Sequence, residues 1–118
     1  MRTAAITRTT RETDITLTLT LDGIGKTSLS TGIGFFDHML DALCRFGQLD
    51  LELTCRGDLH VDAHHTVEDV GICLGRALRD ALGDRKGIRR AASAYMPMDE
   101  ALAFAALDIS GRPYLVFD

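Results

Sequence analysis

A segment rich in histidine and carboxylate side chains lies in the middle of the chain, at residues 57–71. It reads GDLHVDAHHTVEDVG and holds three of the four histidines of the sequence. If the chain is helical from Thr66 onward, Glu68 lies one turn beyond His64 and His65, on the same side. Imidazole and carboxylate together suit zinc, manganese or iron better than calcium or magnesium. The spacing therefore indicates a transition-metal site.

The adjacent histidines favour two ions over one. Successive helical residues are rotated by about 100°, so the imidazoles of His64 and His65 are not expected to converge on a single small ion. In most proteins such a pair of surface histidines is simply exposed to solvent and has no ligand. The spacing alone does not exclude this interpretation. The residues that follow form the apolar face of an amphipathic helix: Val67, Val70, Ile72 and Leu74.

Another histidine falls in a second predicted helix, FFDHMLDALCRF, over residues 35–46. Asp37 and His38 lie in its first turn, where the helix dipole favours an acidic side chain. Taken alone, His38 is a polar residue at a helix start. The predicted core face has apolar residues at helical spacing: Phe36, Met39, Leu40, Leu43 and Phe46.

The composition is that of an ordinary globular domain. The chain has 118 residues, 46% hydrophobic and 25% charged, with a net charge of −4. This charge argues against nucleic-acid binding, and no apolar run approaches the roughly 18 residues of a membrane span. The N-terminus has no signal-peptide core. Three cysteines without a CxxC pair indicate reduced, buried thiols in a cytoplasmic protein.

The remaining patterns supply the elements that must position these residues. Residues 14–21 alternate threonine with isoleucine or leucine, which is typical of a strand with one buried face. The predicted order is β-β-β-α-β-α, a two-layer α/β unit with a mostly antiparallel sheet and both helices on one face. The first three strands are expected to form a meander. The strands are predicted at residues 2–10, 14–21, 26–30 and 49–55, and the second helix ends at Gly83.

One short motif resembles a phosphate loop and is rejected. Residues 23–27 read GIGKT, but the motif requires a glycine at position 20, which is a threonine. The segment also joins two predicted strands, whereas a phosphate loop leads from a strand into a helix.

A weak internal repeat links the two ends of the chain. Residues 11–29 and 97–115 match at a constant spacing of 86 residues. The repeat predicts a first half-domain over residues 1–86 and the start of a second, with three strands only, over 87–118. Because the chain then ends within a predicted strand, a truncated chain is expected. The identical pairs are Leu21 with Leu107, Asp22 with Asp108, Gly25 with Gly111, and Leu29 with Leu115.

Basic residues cluster between the two predicted copies, at residues 85–90. Most of them read as a solvated linker. Arg90 and Arg112, however, are expected on neighbouring strands of the second copy. Two guanidinium groups there could bind a phosphate by bidentate hydrogen bonds.

Taken together, these stretches resemble the imidazoleglycerol-phosphate dehydratase family. The FDHML and HHTVED runs are specific in combination, and the matching segments span essentially the whole chain. The resemblance implies a duplicated α/β fold and a manganese-dependent hydro-lyase with two Mn2+ ions per active site. It also implies a large homo-oligomer whose active sites are shared between subunits. The matching segments are RET from Arg11, TGIGFFDHML from Thr31, GDLHVDAHHTVEDVGICLG from Gly57, ALGDRKGIRR from Ala81 and PMDEALAFAALDISGRP from Pro97.

The resemblance also implies roles for individual residues. Glu12 matches an acid/base that contacts substrate, and Asp99 lies in a stretch associated with the active site. Arg90 and Arg112 match phosphate-binding arginines. The family's second His-His-x-x-Glu run, a further histidine ligand and a lysine would lie beyond residue 118, so this chain would supply about half of the ligands. The residues matching metal ligands, which also bind substrate, are His38, His64, His65 and Glu68.

The implied reaction converts D-erythro-imidazole glycerol phosphate to imidazole acetol phosphate in histidine biosynthesis. Because no carbonyl acidifies the proton that is lost, the ions are expected to bind the imidazole nitrogens and stabilise the ring as an anion. Two alternatives stay open. One is a catalytically incomplete fragment that binds metal and forms oligomers. The other is a dinuclear metallohydrolase, which would not require an imidazole in its substrate.

Overall fold

The computed structural model describes residues 1–118, which divide into two compact units, 1–84 and 85–118. Neither of its helices is both long and apolar enough to cross a lipid bilayer. The first unit has the predicted β-β-β-α-β-α order. The elements are β1 (Thr3–Thr9), β2 (Thr13–Thr20), β3 (Thr27–Ser30), α1 (Gly34–Gly47), β4 (Asp50–Gly57), α2 (His64–Leu82), β5 (Ala91–Met98) and β6 (Ala101–Asp108).

The four strands of the first unit form one sheet in the order β1-β2-β4-β3. The β1–β2 and β2–β4 pairs are antiparallel, whereas β3 pairs with β4 in parallel. The mostly antiparallel sheet is thus confirmed, but the predicted meander is wrong. A strand has only two edges, and both edges of β2 are taken by β1 and β4, so β3 is left to pair at the far edge of β4.

The core lies on one face of this sheet, where Ile15, Leu17 and Leu19 of β2 are almost fully buried. They share one cluster with Val70 of α2 and Leu40 of α1, so both helices cover the same face, as predicted. Alternation along β2, β3 and β4 leaves the opposite face to threonine, serine and charged residues. The three cysteines are free and buried, in agreement with the sequence analysis.

Helix α1 is rotated relative to its predicted core face. Leu40 and Cys44 are buried, while Met39, Leu43 and Phe46 are exposed. At about 100° per residue, these three lie on a flank about 60–120° away from Leu40. The apolar stripe of α1 is therefore wider than the surface that the sheet covers. The predicted core face was right for Leu40 only, with Phe36 partly buried beside it.

The GIGKT segment connects β2 to β3, and a carboxylate occupies the centre of its turn. Asp50 Oδ1 accepts hydrogen bonds from the backbone N–H of Ile24 at 2.9 Å and of Lys26 at 2.8 Å. Backbone N–H groups arranged around an anion also characterise phosphate loops. Here the anion is a side chain of the protein itself, which agrees with the rejection of the phosphate-loop reading.

The second unit contains one antiparallel hairpin, β5–β6, in which every residue is exposed. Three strands were predicted in residues 87–118, and only two form. In the first unit, the third strand pairs solely with β4. Because no counterpart of β4 is present in residues 109–118, a third strand would have no partner for its backbone hydrogen bonds.

The two hairpins carry similar ion pairs at their open ends. Arg2 binds Asp22 in the first, and Arg90 binds Asp108 in the second. Asp22 and Asp108 are also identical residues in the repeat. That the second unit begins a copy of the first stays a prediction, and the similar ion pairs support it.

Candidate metal centre at the start of the second helix

Buried polar contacts fix the start of α2 against the sheet. Asp69, on the inner side of the helix, accepts a hydrogen bond from Thr13 Oγ1 at 2.5 Å. Arg8 Nη2 lies 3.5 Å from the other carboxylate oxygen of Asp69. These contacts tie the first turns of α2 to both β1 and β2. His64 and His65 directly precede the buried Thr66 and lie at the rim of the unit, where His64 is exposed and His65 is half-buried.

The predicted histidine pair begins the helix, as the sequence indicated. The ring centroids of His64 and His65 are 3.9 Å apart, with the planes tilted by 44°. The rings are thus closer than helical rotation alone predicts. Rotation fixes the directions of the Cα–Cβ bonds, but the side-chain torsions still swing the rings toward each other. The ring centres therefore do not diverge, while the expectation that the two imidazoles bind two ions and not one stays a prediction.

Each imidazole is bound through Nδ1 to an aspartate. His64 Nδ1 lies 2.5 Å from Asp62 Oδ1, and His65 Nδ1 lies 2.7 Å from Asp58 Oδ2. A carboxylate only accepts hydrogen bonds, so a neutral imidazole in this position carries its proton on Nδ1. The Nε2 lone pair then remains available to a ligand. Carboxylate–histidine pairs of this kind orient metal ligands in many proteins.

The local charges agree with this arrangement. The pKa of His65 is raised above its ordinary value, chiefly by the hydrogen bond to Asp58, while desolvation opposes the shift and the charges of Asp58 and Glu12 add to it. The pKa of Asp62 is lowered, first by the backbone N–H of His64 and then by its ring. The donor set therefore fits a transition-metal cation, because carboxylates lie beside the imidazoles and neither lysine nor arginine contributes to these shifts.

The predicted acid/base, Glu12, lies in the turn between β1 and β2. Its backbone N–H donates to Thr10 Oγ1 at 3.1 Å, and its carbonyl accepts from the N–H of Asp58 at 2.9 Å. The turn is thus anchored through the backbone of Glu12. Because Asp58 also binds His65, the structure brings Glu12 and the histidine pair together at one corner of the unit.

The other predicted ligands do not join them. His38 and Glu68 are exposed, and no three His, Cys, Asp or Glu side chains of this chain lie close enough to hold one metal ion. His38 is separated from the histidine pair because the two helices pack over different strands of the sheet. Helix α1 packs at the β3 edge of the sheet, whereas α2 packs mainly over β1 and β2. The four-residue ligand set stays a prediction that one chain does not assemble.

The second unit holds the remaining candidates at opposite ends of its hairpin. Arg90 and Arg112 flank the open end, where both lower the pKa of Asp108 after the direct hydrogen bond from Arg90. Asp99 lies in the two-residue turn at the closed end, with a left-handed backbone (φ 50°). Eight-residue strands separate the ends by roughly 25 Å. Within this unit, Asp99 and the two arginines do not share a site.

Sequence reasoning missed the partners of the histidines. Asp58, Asp62 and Asp69 were visible as carboxylates, but no function was assigned to them. The spacing of Asp62 to His64 could have suggested a local contact, because aspartate often binds a backbone N–H two residues ahead. Asp62 Oδ1 does accept from the N–H of His64, at 2.9 Å. The contacts of Asp58 with Glu12 and of Asp69 with Thr13 join segments distant in sequence, so no local pattern reveals them.

Known proteins resemble the chain over nearly its whole length. The family model for imidazoleglycerol-phosphate dehydratase matches residues 31–118. A dehydratase of that name from Acidiphilium cryptum is 66% identical over 117 residues, which cover 99% of this chain and 60% of the relative. The corresponding enzyme from Acetivibrio thermocellus is 60% identical over 113 residues, covering 96% of this chain and 58% of the relative.

A solved structure shares the fold. The crystal structure of imidazoleglycerol-phosphate dehydratase from Staphylococcus aureus superposes with a TM-score of 0.81 at 35% identity, covering 95% of this chain and 60% of that one. The chain therefore spans about 60% of the length of the relatives it matches.

Proposed function

The chain belongs to the imidazoleglycerol-phosphate dehydratase family of histidine biosynthesis, and on that premise we propose that it forms part of a hydro-lyase converting imidazole glycerol phosphate to imidazole acetol phosphate. One observation carries the proposal. Two imidazoles at the start of α2 lie side by side with their Nδ1 atoms on carboxylates. That leaves two Nε2 atoms for divalent cations at a corner that also holds Glu12.

We propose manganese as the cofactor, with two ions per active site. His64, His65 and Glu68 would hold ions from α2, and His38 would do so from α1. When bound, the ions would act as Lewis acids on the substrate's imidazole ring. Since one chain does not bring these four residues together, we infer that neighbouring subunits of a homo-oligomer complete each site.

Glu12 is proposed to move the proton. Its turn is held through backbone groups, which leaves the carboxylate to act on a bound substrate. A carboxylate in this role must come within hydrogen-bond reach of the side-chain carbon that loses its proton. The contact between its backbone and Asp58 holds the Glu12 backbone next to the loop whose aspartate binds His65.

Arg90 and Arg112 are proposed to bind the substrate's phosphate. The guanidinium of Arg90 is already oriented by Asp108, with Nε–Oδ1 and Nη2–Oδ2 distances of 2.5 and 3.1 Å. A phosphate would bind on the remaining N–H groups of this fork or replace Asp108. Binding at this end of the substrate would orient the reacting carbon without acting on it.

The experiment is a dehydration assay with and without added manganese, combined with metal analysis. His65→Ala should remove bound manganese and turnover together, because it deletes the better-oriented ligand. His60→Ala is the matched control, since His60 is an exposed histidine of the same loop that is assigned no role. Manganese stoichiometry retained in His65→Ala would contradict the ligand assignment.

Glu12→Gln tests the proton transfer separately. We expect kcat to fall by about 10²–10⁴-fold, the usual contribution of a general acid or base. Bound manganese should be unchanged, because the substitution keeps the backbone contacts of the turn. A kcat that is unchanged, or a parallel loss of manganese, would exclude this role for Glu12.

A second candidate is a metal-binding and oligomerising fragment that does not turn over substrate. The hairpin of the second unit, in which every residue is exposed, favours it because such a surface can pair between chains. The same assay, run beside a size measurement in solution, separates the two. A large assembly that binds manganese and has no dehydratase activity would identify the fragment.

A further inference from the structure

One aspartate joins the two parts of the candidate centre. The backbone N–H of Asp58 donates to the carbonyl of Glu12 at 2.9 Å, and its Oδ2 accepts from His65 Nδ1 at 2.7 Å. Its own carbonyl accepts from the N–H of Val61 at 2.9 Å. Three groups of a single residue thus hold the β1–β2 turn, the loop before α2 and the ring of the second histidine.

The surroundings of Asp58 make its contact with the ring strong. Its side chain is only 13% exposed and that of His65 is 34% exposed. Its second oxygen, Oδ1, is buried and has no hydrogen-bond partner. Little water is therefore available to replace the ring, and the carboxylate depends on His65 for its hydrogen bond.

Asp62 provides an internal comparison. It makes the same type of contact with His64, but both side chains are 58% exposed. Its partner is also only two residues away, so the contact holds the ring to the loop and to no other element. Water competes for both groups, and exposed pairs of this kind contribute little.

We propose that Asp58 is a positioning residue that fixes the tautomer and orientation of His65 relative to Glu12, whereas Asp62 has no comparable effect on His64. The inference rests on the proposed function in one respect, that the His65 Nε2 atom is directed at a divalent cation. The asymmetry between two chemically identical aspartate–histidine pairs follows from burial and from the distance between the partners in sequence.

The first test is nitrogen NMR of the histidine rings in the manganese-free protein, in mildly alkaline solution where the rings are neutral. The wild-type His65 should carry its proton on Nδ1. In Asp58→Ala it should change to the Nε2–H form that predominates in free histidine. Asp58→Asn keeps an oxygen acceptor and should restore the Nδ1–H form, provided that the amide dispersion shows a folded chain.

The second test is the manganese affinity of the same proteins. Asp58→Ala should weaken binding by about 10–100-fold, the usual effect of removing a residue that orients a metal ligand. Asp62→Ala should weaken it by less than about fivefold, as expected for an exposed pair. Equal losses in the two variants, or an unchanged His65 tautomer in Asp58→Ala, would overturn the proposal.

The two tests distinguish an error in the proposed cofactor from an error in the proposed role of Asp58. If the wild-type chain binds no manganese, the proposed cofactor is wrong for this chain, and the tautomer measurement still decides whether Asp58 positions His65. If manganese binds normally while the tautomer of His65 does not depend on Asp58, the cofactor survives and the positioning role is excluded.

Discussion

The histidine pair shows how identical side chains acquire different properties from their partners. His64 bonds to a nearby, exposed aspartate, while His65 bonds to one that is anchored by the β1–β2 turn. The motif alone makes these two residues equivalent. The difference arises because only one of the two aspartates is held by a turn that is distant in sequence.

The ion pair between Arg2 and Asp22, at the open end of the first hairpin, is expected to make the stability of the fold depend on pH. The pKa of Asp22 is lowered to about 2, from 3.8, because the side chain and the backbone N–H of Arg2 both donate to it. A carboxyl group with a lowered folded-state pKa stabilises the fold above pH 3.8, and this contribution is lost as the pH falls through about 2. Asp22→Asn should therefore abolish part of the acid dependence of stability.

The measurement is the free energy of unfolding in urea across this pH range. The effect should be small, because both side chains of the pair are nearly half exposed. Arg2→Gln should give the same flattened pH profile, since it removes the other partner. A profile for Asp22→Asn that runs parallel to that of the wild type would show that the pair does not contribute.

The junction of β4 and α2 depends on close packing at one glycine. A Cβ atom on Gly57 would overlap with the buried Thr66 Oγ1. Gly57→Ala should therefore destabilise the first unit by about 1–3 kcal/mol, the usual cost of overpacking. Denaturant unfolding measures this. The Gly57→Ala substitution should also disturb the histidine pair, because Thr66 directly follows His65.

A glycine inside the following helix, α2, serves as the control. A Cβ atom on Gly71, inside α2, would meet no atom within 4 Å. Gly71→Ala should stabilise the unit by about 0.4–1 kcal/mol, because alanine restricts the unfolded chain and favours the helix. Similar effects of the two substitutions would mean that the contact between Gly57 and Thr66 is not tight.

One flank of α1 is apolar but is not covered by the sheet. Phe35, Met39, Leu43 and Phe46 lie along one side of the helix, where the two phenylalanines are largely exposed and Met39 and Leu43 are about half exposed. Amphipathic spacing indicated that this helix packs on a core, and it does so through Leu40 and Cys44. Periodicity gives the direction of an apolar face, but the width of the covered surface depends on the partner element.

At the scale of the whole molecule, the two units differ in what they bury. The first unit has a core between its sheet and two helices, whereas no residue of β5 or β6 is buried. A lone hairpin is at best marginally stable in water. Amide exchange of β5 and β6 should therefore be at least about 100-fold less protected than that of β2 and β4.

Hydrogen exchange followed by NMR tests this prediction residue by residue. The measurement should be made at low protein concentration, because apolar side chains such as Tyr95 and Phe104 are exposed and favour association. Equal protection in the two units would show that the hairpin is covered in solution. A rise in protection with concentration would indicate that copies of the chain cover it.

Much of this protein was determined by local sequence. Alternation in DITLTLTL and LDLELTC predicted β2 and β4, and the HHTVED run predicted the histidine pair at the start of a helix. Each predicted strand and helix of the first unit lies within a few residues of the observed one. Local patterns succeed here because side-chain periodicity reports which face of an element is buried, and that depends only on neighbouring residues.

The tertiary structure decided which partners these elements and residues have. It placed β3 beside β4 instead of β2, rotated α1 about its axis and left the second hairpin without a third strand. It also selected Asp58 for His65 and Asp108 for Arg90. These choices depend on which strand edges and surfaces remain free once distant segments have paired. A sequence pattern covering a few residues contains no information about that.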